Sequence, residues 1–242
     1  MKTREKYDQE LDKLFVKIRT SQDENIKKAA HMIADAVASK HCVYVCDSGH
    51  IIDAELIKRA GGFIFLKSFK YDLDVKAEGM DREVPAFSYV GLSKLALEKA
   101  GIIKDDVLII GSVSGIKDKV VDLALAAKEK GIKVIAITAV EYASKLESKH
   151  PSGKRLFEVN DLLIDNCAPY EDAMVEVDGL DAKICPASGL SAAYIMWCVC
   201  ADTLDVLMEE KSITPRVYRS VNAPGNREVN HQKDKEYKTL GY

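Results

Sequence analysis

The sequence lacks the features that mark several large classes of protein. Its 242 residues carry a net charge of -3, so there is no basic surplus of the kind that nucleic-acid-binding proteins use. Its apolar runs look shorter than a membrane span, and the charged amino terminus, MKTREKYDQELDKLF, has no signal-peptide core. We therefore expect a cytoplasmic protein whose partner is neither a nucleic acid nor a membrane.

Metal-binding and nucleotide-binding motifs are missing as well. None of the six cysteines forms a CxxC pair and no zinc spacing occurs, so we expect reduced packing thiols and no metal. No GxGxxG follows the first predicted strand, and no GxxxxGK[ST] is present. These absences disfavour dinucleotides and nucleoside triphosphates as ligands, and no cofactor is expected.

What the sequence contains is an alternation of short apolar runs and segments with helical spacing. Hydrophobic residues make up 47% of the chain, which suits a globular protein with a real core. The alternation predicts an α/β fold, with a parallel sheet covered by helices on both faces. The predicted strands cover residues 42–47, 63–67, 107–110, 133–138 and 161–165. The predicted helices cover 4–40 with a break near TSQDEN, 50–60, 86–101, 117–130 and 141–148.

The carboxyl-terminal part departs from this alternation. A short hairpin is predicted around Asp178-Gly179, followed by a long and very apolar helix over 188–211. The last residues are polar and rich in turn formers. We predict a single domain over 1–242, with a helical extension over 1–40 and a polar tail over 212–242.

The stretch GSVSG, which follows the third predicted strand, carries the clearest ligand-binding chemistry. Ligands in parallel sheets bind at the carboxyl ends of the strands, where this loop lies. Ser112 and Ser114 offer two hydroxyls, and the backbone N–H groups of Ser114, Gly115 and Ile116 are expected at the positive end of the next helix. A neutral cap requires only one serine, so the loop favours an anion, although an ordinary capping turn fits the same residues.

Two further turns bring hydroxyls to the same edge of the predicted sheet. After the first strand, Ser48 can cap a helix and Gly49 allows a ligand to approach the backbone. Thr138 ends a later strand, and backbone N–H donors follow it. Each turn alone also fits as an ordinary turn. Together the three turns predict that one anion, a small phosphorylated metabolite, binds at this edge.

The chain resembles the SIS (sugar isomerase) family of phosphosugar-binding domains, and most of all a bacterial branch of stand-alone, phosphoheptose isomerase-like proteins of about this length. The resemblance runs from about residue 22 to 231. It is carried by SGH…AELIKRAGG, DVLIIGSVSG, AAKEKGIKVIAIT, EYASKLESKHPSGKRLFEVNDLLIDN, EDAMVEVDGL, CPASGL and SVNAPGNREVN. Asp47, Ile51 and Val113 differ from the residues that many relatives have in the first two turns.

The resemblance implies a fold, a phosphate site and an assembly. The fold is a flavodoxin-like, five-stranded parallel sheet. The phosphate would be held by Ser112, Ser114, the N–H of Gly115 and Thr138, while Ser48 and Gly49 would line the sugar. Members form dimers or tetramers with sites near subunit interfaces, and here the helical amino terminus and the helix over 188–211 would supply much of the interface.

Aldose–ketose isomerisation would need a base that moves a proton between C1 and C2, and an acid that opens the ring. The resemblance implies that Glu55 is the acid/base carboxylate. His50 and His150 are candidate partners, because the ordinary pKa of histidine lies near neutrality. Lys154 shares a polar loop with His150 that can reach a sugar phosphate, here or in a neighbouring subunit.

Each of these residues also has a simpler interpretation. Glu55 can pair with Lys58 or Arg59 on an exposed helix, and Lys154 can be a solvated surface charge. His50 can be a polar residue of a first helical turn.

The favoured function is a sugar-phosphate isomerase that needs no metal, since the helix over 188–211 lacks the histidine with which some related isomerases hold zinc. The alternatives are a non-catalytic phosphosugar sensor and an amino-sugar phosphate lyase or etherase. The position of Glu55 relative to the Ser112–Ser114 loop separates enzyme from sensor, because function is decided by the site and not by the fold.

Overall fold

The computed structural model describes residues 2–49, 52–75, 80, 83 and 88–242, and its centre is a parallel sheet. The five strands pair in the order β2-β1-β3-β4-β5, which confirms the predicted flavodoxin-like topology. The strand order reverses between β1 and β3, and this reversal is where ligands bind in such sheets. The strands are β1 (Val43–Asp47), β2 (Leu66–Ser68), β3 (Val107–Gly111), β4 (Lys133–Thr138) and β5 (Leu162–Asp165).

Helices fill most of the segments between and around these strands. The amino-terminal pair and the long late helix agree with the sequence prediction, and so does the antiparallel hairpin β6 (Ala173–Val175) and β7 (Ile184–Pro186). The helices are α1 (Thr3–Ser21), α2 (Asp23–Ala38), α3 (Asp53–Leu56), α4 (Leu92–Lys99), α5 (Asp118–Glu129), α6 (Val140–Ser144), α7 (Ser188–Asp205) and α8 (Asn226–Leu240).

The two faces of the sheet belong to two separate apolar clusters. Val107 and Ile109 of β3 pack with α2 and α7, whereas Leu108 and Ile110 pack with α4 and α5. Successive side chains of a strand point to opposite faces, so a strand covered on both sides must be apolar at every position. This requirement explains the unbroken run Val107–Ile110 in the sequence.

Helix α7 is apolar because it is part of the core on the α2 face. It packs against α2 and continues as a π-helical turn over Val206–Glu210. By length and composition the helical segment Ser188–Glu210 could cross a membrane. Half of its most apolar stretch is buried inside this protein. The expectation that every apolar run is much shorter than a membrane span was therefore wrong for this segment.

The segment after β1 contains less helix than its sequence predicts. Of the described residues in this segment, Asp53–Leu56 are helical, and the helix ends there because Ile57 is extended and Lys58 has φ of 54°. The following residues instead pair with the carboxyl-terminal segment, where the N–H of Ile64 donates to the carbonyl of Arg216. This pairing shifts the start of β2 to Leu66.

The carboxyl-terminal tail was expected to be turn-rich, and this was wrong for Asn226–Leu240, which form α8. The helix has few apolar residues, so its sequence lacks the periodicity that reveals a packed helix. Polar contacts hold it in place. Asn230 exchanges two hydrogen bonds with the backbone of Arg219, and the Tyr218 hydroxyl donates to Asp234 at 2.6 Å.

Two other predicted helices are shorter in the structure. The helix predicted over 86–101 is described as helical from Leu92 to Lys99, with residues 86 and 87 outside the described part. Its amino terminus is set by Asp122 of α5, which accepts hydrogen bonds from the N–H groups of Gly91 and Ser93. The helix predicted over 141–148 is α6, which ends at Ser144.

Replacing a buried isoleucine of the central strand tests the two-faced core. We expect Ile109→Ala, at a fully buried position, to lower the free energy of unfolding by about 2–5 kcal/mol, because it leaves a cavity between β3 and α2. The matched control is Ile103→Ala, whose side chain is exposed and should change that free energy by less than about 0.5 kcal/mol. Urea unfolding measures both, and equal losses would contradict the assigned core.

Candidate functional site

The three polar turns meet at the carboxyl edge of the sheet. The Ser48 hydroxyl donates to the Ser112 hydroxyl at 3.0 Å, which joins the turn after β1 to the turn after β3. The Gly115 N–H donates to the same Ser112 oxygen at 3.2 Å. The Thr138 hydroxyl, at the end of β4, donates to the carbonyl of Val113 at 2.9 Å. One hydrogen-bonded group of residues therefore connects all three turns.

Gly115 allows the loop after β3 to lie tightly against its neighbours. Its φ is +61°, a left-handed conformation that favours glycine. A Cβ atom at this position would lie 3.0 Å from the Cβ of Leu156 and 3.1 Å from the Thr138 hydroxyl. Any side chain here would push the loop away from Thr138, so the glycine is needed for packing as well as for backbone conformation.

The hydroxyls of this loop differ in what they offer a ligand. Thr138 is fully buried and uses its proton on the loop backbone. Ser112 accepts from Ser48 and from Gly115, so its own proton is left for another acceptor. Ser114 is half-buried, and within the described part of the chain its hydroxyl makes no hydrogen bond. Ser112 and Ser114 are thus the available donors, and Thr138 holds the loop in shape.

The start of α5 differs from the prediction, because a carboxylate already occupies it. The helix begins at Asp118, three residues after Gly115, so the loop amides lie before the helix. The carboxylate of Asp118 accepts hydrogen bonds from the N–H groups of Tyr89 and Lys119 at 3.0 and 2.7 Å. Burial alone would raise the pKa of Asp118, but these hydrogen bonds outweigh it and hold that pKa below its ordinary value.

In the first turn Asp47, and not Ser48, caps the short helix α3. The Asp47 carboxylate accepts from the N–H of Ile52 at 2.7 Å and from the N–H of Gly49 at 3.0 Å. Its negative charge is therefore directed at backbone amides. The predicted capping role of Ser48 was wrong, and its hydroxyl is used on Ser112 instead.

A cavity of about 350 Å³ opens beside these turns, between β1, β3 and the start of α5. Ser48 and Gly49 line one side, and Lys117, Asp118 and Lys119 line the other. The two lysines supply positive charge, and both carboxylates of the lining, those of Asp47 and Asp118, already accept backbone N–H groups. The cavity is therefore suited to an anionic ligand.

Sequence reasoning missed the lysines and Tyr89, which also lines this cavity. The only available signal was the KDK triplet directly after the GSVSGI loop, at the start of a predicted helix. Cys46 lines the cavity too, and burial raises the pKa of its thiol to about 12. The thiol is neutral at physiological pH, so it is not activated as a nucleophile.

Glu55 lies outside the lining of this cavity. Its carboxylate forms an ion pair with the Arg59 guanidinium at 2.8 Å, the simpler of the two interpretations of its sequence position. His50, the neighbouring candidate, falls outside the described residues. The structure thus brings Ser48, Ser112, Gly115 and Thr138 together without placing Glu55 among them. Of the phosphate-binding candidates, Ser48 and Gly49 line the cavity, whereas Ser112, Ser114, Gly115, Thr138 and Lys154 do not.

His150 is buried against α5 and does not line the cavity. Its Nδ1 accepts from the N–H of Ser152 at 3.1 Å, so the proton belongs on Nε2. That Nε2 lies 3.7 Å from the carboxylate of Asp122 and has no hydrogen-bond partner among the described residues. His150 therefore lies against α5 without a hydrogen bond to it, and Lys154 in the same loop is exposed and does not line the cavity.

No metal-binding cluster is found in the part of the chain that the structure describes. There, no group of three or more His, Cys, Asp or Glu side chains comes together as metal ligands would. Asp165 and Asn166, which end β5, shape their own turn. The Asp165 carboxylate accepts from the N–H groups of Val140 and Cys167, and the Asn166 side-chain oxygen accepts from the N–H of Ala168.

Comparison with known proteins places this chain in a family. The sequence profile of the SIS domain matches residues 6–139. A UPF0309 protein from Oceanobacillus iheyensis is 33% identical over 224 residues, which cover 91% of each chain. A UPF0309 protein from Geobacillus kaustophilus is 33% identical over 234 residues, 96% of this chain and 93% of the relative.

A solved structure shows the same fold at much lower sequence identity. It is a protein from Bacteroides fragilis described as a candidate phosphosugar isomerase involved in capsule formation. The two share 15% identity with a TM-score of 0.51, and the alignment covers 87% of this chain and 90% of the other. The profile match over more than half of the residues, together with relatives that align along nearly the whole length, shows that this chain belongs to the SIS domain family.

Proposed function

We propose that this chain binds a phosphorylated sugar at the carboxyl edge of its sheet. The observation that carries the proposal is the joined group of Ser48, Ser112 and Gly115 beside a cavity that Lys117 and Lys119 line. A phosphate group needs several hydrogen-bond donors and compensating positive charge. Membership of a family of phosphosugar-binding domains supports the same ligand class.

The donors at this sheet edge suit a phosphate better than a neutral sugar alone. The free proton of Ser112 and the hydroxyl of Ser114 lie on one short loop. The ammonium group of Lys117 comes from the residue just before α5, on the far side of the cavity lining. The carboxylates of Asp47 and Asp118 accept backbone N–H groups, which reduces their repulsion of an anion. The sugar would then extend along Gly49.

Isomerisation of an aldose or ketose phosphate is the second candidate function. The fold shared with the Bacteroides fragilis protein favours it, and Glu55 is the proposed base, with His50 or His150 as its partner. The contacts of Glu55 favour binding over catalysis, because its carboxylate is held by Arg59. For catalysis Glu55 would have to leave Arg59 and approach the C1–C2 region of the bound sugar.

We propose in addition that the chain forms a homo-oligomer through the outer face of α7. Leu190, at the start of that helix, is 44% exposed, and Met208, just beyond its end, is 51% exposed. The partly exposed rings of Tyr194 and Trp197 lie between them, and the Tyr194 ring contacts that of Phe15 of α1 at a tilt, with 4.8 Å between the ring centres. Apolar side chains repeated along one outer helical face are typical of an interface.

Thermal stabilisation by a panel of sugar phosphates tests the binding proposal. A ligand that binds only the folded chain raises its stability by about 2.7 kcal/mol at one hundred times its Kd. We expect phosphorylated sugars to raise the Tm, with free sugars and inorganic phosphate as controls that raise it less. No response to any phosphorylated sugar would overturn the proposed function.

Gly115→Ala tests whether the loop after β3 forms the phosphate site. The added Cβ would approach Leu156 and Thr138, so we expect ligand-induced stabilisation to be lost. Gly179→Ala is the matched control, because its φ of +86° carries a similar backbone strain with nothing within 4 Å of the new Cβ. Both variants should lose about 1–3 kcal/mol of stability, but only Gly179→Ala should keep the response to ligand. If phosphorylated sugars still stabilised the Gly115→Ala protein, the loop after β3 would not be part of the phosphate site.

Proton exchange at the sugar separates isomerase from sensor. The best ligand of the panel is incubated with the protein in deuterated water, and NMR follows deuterium at C1 and C2. If Glu55 is the base, Glu55→Gln abolishes incorporation, whereas Glu129→Gln, a change at an exposed carboxylate of α5 that pairs with Lys94, does not. Binding without any incorporation by the unmodified protein supports the sensor.

Charge placed on the outer face of α7 tests the proposed interface. We expect Leu190→Glu to lower the oligomeric mass measured by size-exclusion chromatography with light scattering, because a buried unpaired carboxylate opposes association. Leu95→Glu is the matched control, since Leu95 is an exposed leucine on α4 across the sheet. An unchanged mass for Leu190→Glu, or an equal loss for both variants, would contradict the α7 interface.

A further inference from the structure

A second cavity adjoins the first at the carboxyl ends of β1 and β2. It has a volume of about 380 Å³ and is lined in part by Phe69, Tyr71 and Asp72. Three residues line both cavities, namely Cys46, Asp47 and Lys119, and they form the wall between them. The space available to a bound sugar therefore depends on that wall.

Lys119 is the part of the wall that does not belong to the sheet. Cys46 and Asp47 are residues of β1, whereas Lys119 enters from the first turn of α5. Among the three it has by far the longest side chain. Removing that side chain would join the two cavities without altering the strand pairing of β1.

The ammonium group of Lys119 is fixed by three contacts. It donates to the carbonyl of Tyr71 at 2.5 Å. It also lies over the aromatic rings of Tyr71 and Tyr89, at 4.7 and 4.5 Å from their centres. Cation–π contacts of this kind hold a cation in place. The Lys119 side chain is thus held in one position between the two cavities, unlike a surface lysine that rotates freely. We call this side chain the partition.

The two tyrosines are themselves anchored. The Tyr89 hydroxyl donates to Asp72 at 2.5 Å, and the Tyr71 hydroxyl contacts the Ser93 hydroxyl at 2.8 Å. Tyr71 follows β2 and Tyr89 precedes α4, so Lys119 connects both ends of the long β2–α4 segment to α5. The position of the partition therefore depends on contacts among three parts of the chain: the segment after β2, the segment before α4, and α5.

The second cavity suits a substituent on a sugar. Its lining combines the rings of Phe69 and Tyr71 with the charged side chains of Lys70 and Asp72. Aromatic rings beside polar groups are the surroundings that an acyl or ether group on a sugar would occupy. Lys119 lies between these surroundings and the first cavity.

We infer that Lys119 is a specificity-determining residue that limits the ligand to sugar phosphates without a bulky substituent on the sugar. This inference rests on the proposed function, since it concerns the same site. It distinguishes simple aldose or ketose phosphates from N-acylated or ether-substituted amino-sugar phosphates, and it assigns the chain to the first class.

The test uses two probes that carry the same phosphate and the same net charge. Glucose 6-phosphate has a hydroxyl at C2, and N-acetylglucosamine 6-phosphate has an acetamido group there. Isothermal titration calorimetry gives the ratio of their Kd values. We expect the unmodified chain to prefer glucose 6-phosphate by on the order of tenfold or more, the cost of a group that the cavity does not accommodate. In Lys119→Ala the ratio should approach one.

Lys119→Met separates shape from charge. Methionine keeps the long side chain between the two rings and makes favourable contacts with them, but it carries no charge. We expect it to keep the preference of the unmodified chain. If the ratio of Kd values for Lys119→Met instead approached one, as expected for Lys119→Ala, the separation of the two cavities by the Lys119 side chain would not explain the preference. The charge of Lys119 would then explain it.

The remaining outcomes also decide the question. A ratio that Lys119→Ala leaves unchanged overturns this inference but leaves phosphosugar binding intact. Binding of neither probe by the unmodified chain overturns the inference as well. If, in addition, no member of the phosphosugar panel stabilises the chain, the proposed function itself fails. Melting temperatures of the variants without ligand show that each has folded.

Discussion

The parallel pairing of β1 with β3 determines the geometry of the whole site. In this register Asp47 lies opposite Gly111, so the residues that follow each strand, Ser48 and Ser112, emerge side by side. Their hydroxyls meet at 3.0 Å. The pairing of β3 with β4 brings Thr138 to the same edge. Because both faces of these strands are buried, a register shift would expose apolar side chains and unpair the turns at once.

Aspartates organise the backbone around the site, and lysines carry the free charge. Asp47 caps α3, Asp118 caps α5 and holds the segment before α4, and Asp122 caps α4. Each carboxylate is directed at backbone N–H groups and so positions an element. Lys117 and Lys119 face the cavity. Because the three carboxylates accept backbone N–H groups while the lysines supply positive charge, this edge of the sheet still suits an anionic ligand.

The contrast between the phosphate-binding candidates and the acid/base candidates bears on function. The binding candidates lie on turns that the sheet itself brings together. Glu55 lies on a four-residue helix and pairs with Arg59, and His150 lies in a loop beside α5. The turns supply hydrogen-bond donors at the sheet edge, with Ser48 in the cavity lining and Ser112 and Ser114 outside it, whereas a catalytic site would require a movement of Glu55 or a residue from a second subunit. Binding is therefore the better-supported role.

Sequence patterns alone determined the fold class and the three turns at the sheet edge, because burial on both faces imposes continuous apolar strands and because turn residues are local signals. The flavodoxin-like strand order was expected only from the family resemblance. Tertiary structure decided the rest. Helix α8 carries almost no apolar periodicity and exists through polar contacts such as those of Asn230. The helix predicted to reach residue 60 stops at Leu56, and the residues that follow, 61–64, pair with residues 216–218. Lys117 and Lys119 look like surface charges in the sequence, and only the packing of α5 against β3 and β4 turns them toward a cavity.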